Sequence, residues 1–473
     1  MRKQAFQISK FLIRWGIAVV GIWWVLSRMS WHDQVLGILS RQTMVPQPLT
    51  LVGESAGETD SEYRVKDPRN NKAVITLQAQ DVINAPDRNK LPVSEGGKRQ
   101  YVVGVDLTAD LKTARKLLLA DTPTSPTAHW VRAGDVPDYH LTIPHPRVQV
   151  GVIRMVRQAD TTYVLAALAI FPLTLIITSL RWQELLKALD IRIPVARTFV
   201  LNMVGQFYST FMPGSTGGDV LKAYYVAKQT HHRTRAVMSV LVDRVIGLLA
   251  LIIVGGAMAA LQWHIPKCRQ VALGSVAILA ATAAGLALFY VPLLRRLSGL
   301  EFIIARLPMQ HQVLKAIETM HIYGRRPLLV AAAIVVTFPV HAVVITAAML
   351  CGFAFNLPIH PFYYWMAVPV IALAGAIPIS PQGAGVMEYF AIKLLEPQGV
   401  AVAQAFALTM SIRLTQIFWN LSGGIFVFRG GYHSPTPLEQ RQIESEDQDE
   451  AAKSEIRNPN DESSPKSEVR DTV

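Results

Sequence analysis

A long uncharged stretch dominates the second half of the chain. Between Pro327 and Met387 there are 61 residues without an aspartate, glutamate, lysine or arginine. In hydrocarbon every backbone amide must be paired within the chain, and a helix of about 20 apolar residues achieves this across a bilayer. The stretch is too long for one span and is interrupted by prolines. It therefore predicts a full helix at about 327–351 and a shorter, interrupted helix at about 362–378.

Other segments also have the length of a membrane span. Three uncharged windows are Thr161–Leu180, Val245–Pro266 and Gln270–Leu294, and Pro397–Phe428 carries one charge, Arg413, near its middle. Residues 1–27 place four basic residues around a short apolar run. This pattern is shared by signal peptides and uncleaved anchors. Because no cleavage site of small residues follows, we interpret 1–27 as a transmembrane anchor.

The composition excludes an average soluble protein, since 51% of residues are hydrophobic and only 17% are charged. The net charge of +12 does not indicate a nucleic-acid partner, because the basic residues lie between apolar runs and form no continuous stripe. Basic clusters occur in 1–27, 181–197, 222–235 and 295–326. Short basic loops stay in the cytoplasm. All four can do so only if 198–218 dips into the membrane without crossing it.

The same rule places the C-terminus in the cytoplasm if 362–400 is also a dip. The predicted fold class is therefore an all-α polytopic membrane protein with about six spanning helices and two re-entrant helical hairpins that enter from opposite sides. Both termini are then predicted to lie in the cytoplasm.

Two further regions lie outside the predicted bundle at 161–430. Residues 28–160 mix 17 basic with 15 acidic residues and contain strand-like stretches at Ala73–Gln78 and Tyr101–Asp106. They predict a small extracytoplasmic insert, either α/β or irregular. Residues 431–473 hold 5 basic and 11 acidic residues with few aliphatic ones. Such a segment cannot bury enough surface to fold, so we expect a disordered acidic tail.

The first polar motif interrupts an apolar run. The run carries Asn202 and Gln206, stops at Pro213-Gly214-Ser215, and resumes after Gly217-Gly218 as a helix that begins with Asp219 and includes Lys222 and Tyr225. Proline and glycine break a helix at membrane depth only where the freed amides face protein or a wet cavity. The exposed N–H groups of a helix start bind phosphate or carboxylate. The alternative is a tight cytoplasmic loop capped by Asp219.

Two further motifs place charges among apolar residues. Asp243 and Arg244 are adjacent near the start of a predicted span, so their side chains point about 100° apart and require other partners. The candidate partners are Asp219, Lys222, Glu388 and Arg413. The alternative is that the pair marks the membrane interface.

In the third motif, Ser380, Gly383 and Gly385 precede Glu388, which either belongs to a buried site or caps a turn.

These motifs, in this order, resemble the flippase-like family built on the lysylphosphatidylglycerol synthase transmembrane region. The resemblance covers 161–430 and rests on Pro213–Asp219 with Lys222, on Asp243-Arg244, and on Pro378–Glu388. It implies an inner-membrane helical bundle that moves or modifies a lipid-linked substrate. Two positions depart from the family pattern: Lys222 stands where arginine is common, and Met387 where a basic residue often occurs.

The predicted function is the binding and translocation of an anionic, phosphate-bearing lipid or lipid-linked precursor. Lys222, Arg244 and Arg413 would attract the phosphate, and Asp219, Asp243 and Glu388 would hold those cations. The full set of predicted substrate-binding residues is Asn202, Gln206, Pro213, Gly214, Ser215, Gly217, Gly218, Asp219, Lys222, Tyr225, Asp243, Arg244, Ser380, Gly383, Gly385, Glu388 and Arg413.

Two alternatives to translocation stay open. One is a membrane subunit of a lipid-modifying (aminoacyl- or glycosyl-lipid) enzyme system, although no catalytic motif is recognised. The other is a scaffold whose insert at 28–160 binds a protein partner. We predict no cofactor, because a Walker-type phosphate loop is missing. We also predict no metal site, because Cys268 and Cys351 are too few for a four-cysteine zinc site.

Overall fold

The computed structural model of the chain describes its insert and its helical bundle with gaps. The described residues are 16, 19–23, 26–27, 30–39, 46–52, 62–68, 70, 73–78, 81–83, 93–95, 98–107, 114–121, 127–136, 148–211, 217–230, 233–291, 310–377, 380–430 and 432. The predicted site residues Pro213, Gly214 and Ser215 lie outside this set. So does the predicted tail, except for Tyr432.

The insert consists of short antiparallel strands over its described part. The strands are β1 (Gln34–Ile38), β2 (Pro46–Thr50), β3 (Glu62–Lys66), β4 (Val74–Gln78), β5 (Val82–Ile83), β6 (Val93–Glu95), β7 (Lys98–Leu107), β8 (Ala114–Ala120), β9 (His129–Arg132) and β10 (Val148–Gln149). Over the described residues they form three sheets: β10–β1–β2, in which β5 also pairs with β1, then β3–β4, and β6–β7–β8–β9. Both predicted strand-like stretches coincide with strands, β4 and β7. The described residues of 28–160 are mainly β-strands, with a short 3-10 helix at Ala133–Asp135 and a helix at Val152–Arg157.

The alternation of side chains builds the core of the insert. In β3, Tyr63 and Val65 are buried while their neighbours are exposed, as expected for strands with one face on a core. They pack with Val35 of β1 and Leu77 of β4. Period-two burial is the pattern that fixes strand register, because a slip by one residue would expose the whole apolar face.

The two ends of the insert are fastened to each other. Asp33 accepts a hydrogen bond from the backbone N–H of Gly151 and forms an ion pair with Arg154, both at 2.8 Å. The backbone N–H groups of Val152 and Ile153 donate to the carbonyls of Ser30 and Trp31. The chain therefore enters and leaves the insert at one point.

Thirteen helices are described from residue 152 onward. They are α1 (Val152–Arg157), α2 (Thr161–Ile170), α3 (Pro172–Ala188), α4 (Val195–Phe211), α5 (Gly217–Ala227), α6 (Arg233–Leu261), α7 (Pro266–Tyr290), α8 (Gln310–Gly324), α9 (Pro327–Ala354), α10 (Pro361–Ala376), α11 (Val386–Leu395), α12 (Val402–Ser422) and α13 (Gly424–Gly430). Several start signals are visible in the sequence. Asp160 caps α2, and prolines stand in the first turn of α3, α7, α9 and α10.

Four stretches of helix are long and apolar enough to cross a membrane. They are Thr161–Ala188, Arg233–Leu261, Pro266–Tyr290 and Pro327–Ala354, while Pro361–Ala376 is apolar but shorter. The helices that correspond to the predicted spans at 161–180 and 245–266 differ from them in their bounds. The first helical stretch continues to Ala188, and α6 begins 12 residues before position 245. Asp243 and Arg244 therefore lie in the third turn of α6, well inside the helix.

The predicted first and last spans are not among these four. Residues 1–27 are described only in part, but Leu26 packs on the bundle core and Gly21 closely approaches Gly385. The last predicted span, 397–428, is divided into α12 and α13. Its polar residues, which include Gln404, Arg413 and Gln416, lower its hydropathy.

Two large apolar cores are formed by the described residues of the bundle. One surrounds Tyr364, Met366 and Leu395 and contains Cys268 and Cys351, both buried with free thiols. The other surrounds Trp182, Leu186 and Leu221. Helix α7 packs mainly on α6 and leaves Leu273, Val276 and Ile278 exposed. An exposed apolar face of this kind is the normal lipid contact of a membrane helix.

Two pairs of short helices fold back on themselves. In the first hairpin, α4 and α5 meet where Gly205 and Gly218 let their backbones touch. In the second hairpin, the end of α11 lies beside the start of α10. The Tyr363 hydroxyl of α10 donates there to the Leu394 carbonyl of α11 at 2.8 Å. The turn between α10 and α11 is closed by contact between Gly375 and Gly383.

Candidate functional site

A cavity of about 390 Å³ opens inside the bundle. Its wall takes residues from α3, α4, α5, α6, α9, α10, α11 and α12 and from the turn of the second hairpin. Charged and amide side chains cluster beside Asp243 of α6. Leu251, eight residues and about 12 Å further along α6, belongs to an apolar wall with Val340, Val344 and Val368. The cavity is therefore polar in one part and apolar in another.

Asp219 joins the first hairpin to α6. Its carboxylate forms an ion pair with the guanidinium of Arg244 and lies 3.7 Å from the Lys222 ammonium. Asp219 stands in the first turn of α5, where the partial positive charge of the helix start favours a carboxylate. The predicted pairing of Arg244 with a first-motif residue is found at Asp219.

Asp243 pairs with a residue that the sequence did not point to. Arg181 Nε donates to Asp243 Oδ1 at 2.8 Å, and Arg181 Nη1 donates to Thr337 Oγ1 at 2.7 Å. The Arg181 side chain is only 6% exposed. The sequence places Arg181 in the cytoplasmic cluster 181–197, because the uncharged window ends at Leu180. The helix in fact continues to Ala188, which carries Arg181 into the bundle.

The charged residues that line the cavity carry one excess positive charge. The cations are Arg181, Lys222 and Arg244, and the carboxylates are Asp219 and Asp243. Lys222 is mostly buried, with its ammonium 5.6 Å from the centre of the Trp182 ring. An ammonium held by one carboxylate at 3.7 Å and by an aromatic face keeps hydrogen-bonding capacity for an anion.

The second hairpin is held by a buried ion pair. Arg413 Nη2 of α12 lies 2.7 Å from Glu388 Oε1, without the alignment of a hydrogen bond. Glu388 Oε2 accepts the backbone N–H of Gly385 at 2.7 Å, which caps the start of α11. Glu388 is fully buried. Its two oxygens thus connect α12 to the turn between α10 and α11.

The family assignment agrees with this arrangement of helices. The family model described as lysylphosphatidylglycerol synthase TM region matches residues 149–423, which is more than half of the chain. The chain belongs to this family. A relative in Pyrococcus horikoshii, named UPF0104 membrane protein PH1989, is 22% identical over 104 residues. That match covers 21% of the present chain and 31% of the relative, so the chain spans about a third of that protein's length.

The resemblance seen in the sequence is thereby confirmed, and the protein is a multi-pass membrane protein of the lysylphosphatidylglycerol synthase TM region family. The matched region begins at the last strand of the insert and ends just after α12. It therefore contains the cavity and both hairpins, while most of the insert lies outside it.

The TM region brings six of the predicted site residues to the cavity wall: Asn202, Gln206, Asp219, Lys222, Asp243 and Arg244. Asn202 is fixed by its amide N–H groups, which donate to Ser179 and Thr178. Of the remaining predicted residues, Gly217 begins α5 and Gly218 lies against Gly205. Tyr225 packs edge to face on Tyr432, with ring centres 5.0 Å apart.

The residues predicted around Glu388 take a different position. Ser380, Gly383, Gly385, Glu388 and Arg413 are buried and are not part of the cavity wall. Their neighbours Gln382 and Met387 line it instead. Glu388 pairs with Arg413 and accepts the backbone N–H of Gly385. The two residues therefore hold the turn in place and do not face the cavity.

Sequence reasoning missed Arg181, Thr178, Gln382, Gln416 and Asn420, all of which line the cavity. Arg181 had a detectable signal, since Asp243 needed a cation within the membrane. His341 also lines the cavity and has its Nε2 3.0 Å from the Gly247 carbonyl. Next to the cavity, burial and the charge of Asp243 raise the pKa of Tyr323, whose hydroxyl donates to the Leu185 carbonyl.

Proposed function

We propose that this protein binds and translocates an anionic, phosphate-bearing lipid or lipid-linked precursor. The observation that carries the proposal is the excess positive charge in a cavity with apolar walls inside a membrane bundle. A phosphate diester carries one negative charge, which Lys222 and Arg244 can neutralise. Arginine and lysine bind phosphate by charge-assisted hydrogen bonds.

The cavity has a second source of attraction for an anion. Helix α5 starts at Gly217, and its first backbone N–H groups have no partner within the helix. Because Asp219 lies on the cavity wall in that first turn, the positive end of α5 lies close to the polar part of the cavity. Leu251, Val340 and Val344 would contact the glycerol backbone and the first acyl carbons. The acyl chains would extend into the bilayer.

The proposal includes a membrane topology. Six spans, with α4–α5 and α10–α11 as re-entrant hairpins from opposite sides, leave both termini in the cytoplasm of a bacterial inner membrane. Residues 28–160 then form an extracytoplasmic domain, 161–430 the transport bundle, and 431–473 a cytoplasmic tail. The hydrogen bond between Tyr363 and the Leu394 carbonyl supports a second hairpin that returns to its side of entry.

Cysteine accessibility tests this topology. Both native cysteines are buried, so single cysteines are introduced after Cys268→Ala and Cys351→Ala. The exposed residues Arg269, Lys393 and Arg325 are suitable positions. An impermeant maleimide should label Arg269→Cys and Lys393→Cys in intact cells, and Arg325→Cys only after permeabilisation. Labelling of Lys393→Cys only after permeabilisation would contradict a re-entrant second hairpin.

Reconstitution tests the transport. Liposomes that hold the purified protein and NBD-labelled phosphatidylglycerol are treated with dithionite, which bleaches only the outer leaflet. The wild type should expose inner-leaflet label without added nucleotide. Arg244→Gln and Lys222→Gln should slow this exchange about 10- to 100-fold, the loss expected for a hydrogen bond to a charged group. Lys187→Gln, which removes an exposed lysine outside the cavity, is the matched control.

Two results would exclude translocation by this cavity. If the wild type exchanges no labelled lipid, the scaffold or the lipid-modifying subunit becomes the better interpretation. If both Arg244→Gln and Lys222→Gln exchange lipid like the wild type, any transport occurs elsewhere in the protein.

A further inference from the structure

Gln382 has an unusual backbone for its residue type. Its φ of 48° and ψ of 30° lie in the left-handed region, which non-glycine residues rarely occupy. Such a conformation is strained for a residue with a side chain and persists only where the surroundings fix it. The question is what the glutamine contributes at a position better suited to glycine.

The surroundings do fix this turn. Gly383 and Gly385, which follow Gln382 in the turn, also have positive φ, and a Cβ on Gly383 would lie 2.6 Å from the Gly375 Cα. Glu388 binds the Gly385 N–H and pairs with Arg413. The turn is therefore held by Gly375 of α10 and by Arg413 of α12. These contacts set the direction in which Gln382 projects.

The side chain of Gln382 is placed on the cavity wall. Among the described residues none is hydrogen-bonded to it. Lys222 and Arg244, which face the same cavity, supply positive charge, whereas the Gln382 amide is neutral. The amide offers two N–H donors and one carbonyl acceptor, which can pair with a hydroxyl or amide group.

We propose that Gln382 is a specificity-determining residue that hydrogen-bonds the polar alcohol of the head group beyond the phosphate. The inference rests on the proposed function. The preferred substrate class is then a phosphate diester whose head group carries hydroxyl groups, over a diester of equal charge with an alkyl head group. A site that hydrogen-bonds a substrate hydroxyl discriminates against an analogue that lacks it.

The backbone conformation of Gln382 permits a substitution that removes the side chain without straining the turn. Gln382→Gly removes the amide while fitting the left-handed conformation better than glutamine does. The fold should therefore be retained, with a thermal midpoint equal to or above that of the wild type. A purely structural role for Gln382 would leave the choice of lipid unchanged in this variant.

The experiment compares two NBD-labelled lipids of equal charge in the liposome assay. Phosphatidylglycerol carries head-group hydroxyls and phosphatidylethanol carries none. The wild type should exchange phosphatidylglycerol about three- to tenfold faster, the effect of one neutral hydrogen bond. Gln382→Gly should bring the ratio close to one by slowing phosphatidylglycerol alone.

Three results would overturn the inference. The first is an equal rate for both lipids in the wild type. The second is an unchanged ratio in Gln382→Gly. The third is exchange of neither lipid by the wild type, which would overturn the proposed function together with this inference. The first two leave the proposed function standing, so the two failures are distinguishable.

Discussion

At the level of single residues, ion pairs between buried or partly buried side chains connect neighbouring helices of the bundle. Arg181 and Asp243 connect α3 to α6, and Arg244 and Asp219 connect α6 to α5. Removing one member of a buried pair leaves an uncompensated charge, which is more costly than losing the pair as a whole. These contacts therefore fix which helices stand beside the cavity.

Asp243→Asn should destabilise the protein, because Arg181 then keeps a buried charge without its carboxylate. The expected loss is roughly 2 to 3 kcal/mol of unfolding free energy, less than for a fully enclosed pair since Asp243 faces the cavity. Thermal unfolding in detergent measures it. The control is Glu184→Gln, which breaks the exposed pair with Lys187 and should change stability by less than about 1 kcal/mol. Equal shifts in the two variants would show that the Arg181–Asp243 pair has no special role.

Arg413→Gln should be more disruptive, because Glu388 is fully buried. A loss of roughly 3 to 5 kcal/mol is expected for the single variant. The double variant Glu388→Gln/Arg413→Gln removes both charges and keeps an acceptor for the Gly385 N–H, so it should recover part of that loss. A double variant less stable than Arg413→Gln would contradict a direct interaction between the two residues.

Part of this residue-scale picture was predictable. The sequence marked Asp219, Lys222, Asp243 and Arg244 because charges between apolar runs are costly, and the structure places all four on one cavity. It could not identify Arg181, since a charge at the end of an uncharged window looks the same whether the helix stops there or continues. The sequence indicated Glu388 for the same reason as Asp243, namely a charge among apolar residues. Such a pattern does not distinguish a residue that faces a cavity from one that is buried behind the cavity wall.

At the level of elements, close contact between backbones shapes both hairpins. Gly205 and Gly218 permit α4 and α5 to touch, and Gly375 and Gly383 do the same in the second hairpin. Small residues at helix contacts are typical of membrane bundles, where packing rather than hydrophobic burial drives association. The sequence predicted a glycine-rich break at both positions. It could not show which glycine faces which helix, because that depends on the rotation of each helix about its axis.

Gly218→Ala should separate α4 from α5, since a Cβ there would overlap the Gly205 carbonyl oxygen. We expect a lower thermal midpoint and lipid exchange reduced at least tenfold. Gly274→Ala in α7 is the control, because a Cβ there meets nothing within 4 Å and alanine favours a helix. If Gly218→Ala behaves like Gly274→Ala, the close hairpin contact does not exist.

At the level of the whole molecule, we expect the insert to be removable without unfolding the bundle. The insert starts and ends at the contact of Asp33 with Gly151 and Arg154, and it has a core of its own. Domains whose ends meet can be inserted into or removed from a host fold. The sequence indicated the length and strand content of this region. The closure of its ends depends on contacts 118 and 121 residues apart, which no local pattern reveals.

Replacing residues 34–148 by a short glycine–serine linker should leave the bundle folded. The variant should keep the bundle's thermal transition and exchange labelled phosphatidylglycerol within about twofold of the wild-type rate. The linker is short because the insert's ends are already adjacent. A variant that cannot be purified in folded form would indicate that the insert contributes to the bundle core.

Photo-crosslinking tests most directly whether the cavity holds the lipid. Phosphatidylglycerol with a diazirine near the glycerol end of its acyl chain is added to the protein in nanodiscs, and crosslinked peptides are identified by mass spectrometry. Crosslinks are expected at the apolar cavity wall, in Val340–Ile345 of α9 and at Leu251 of α6. These should be competed by unlabelled phosphatidylglycerol and lost in Arg244→Gln. Crosslinks confined to outward-facing residues such as Leu273 and Val276, and unchanged in Arg244→Gln, would contradict lipid binding in the cavity.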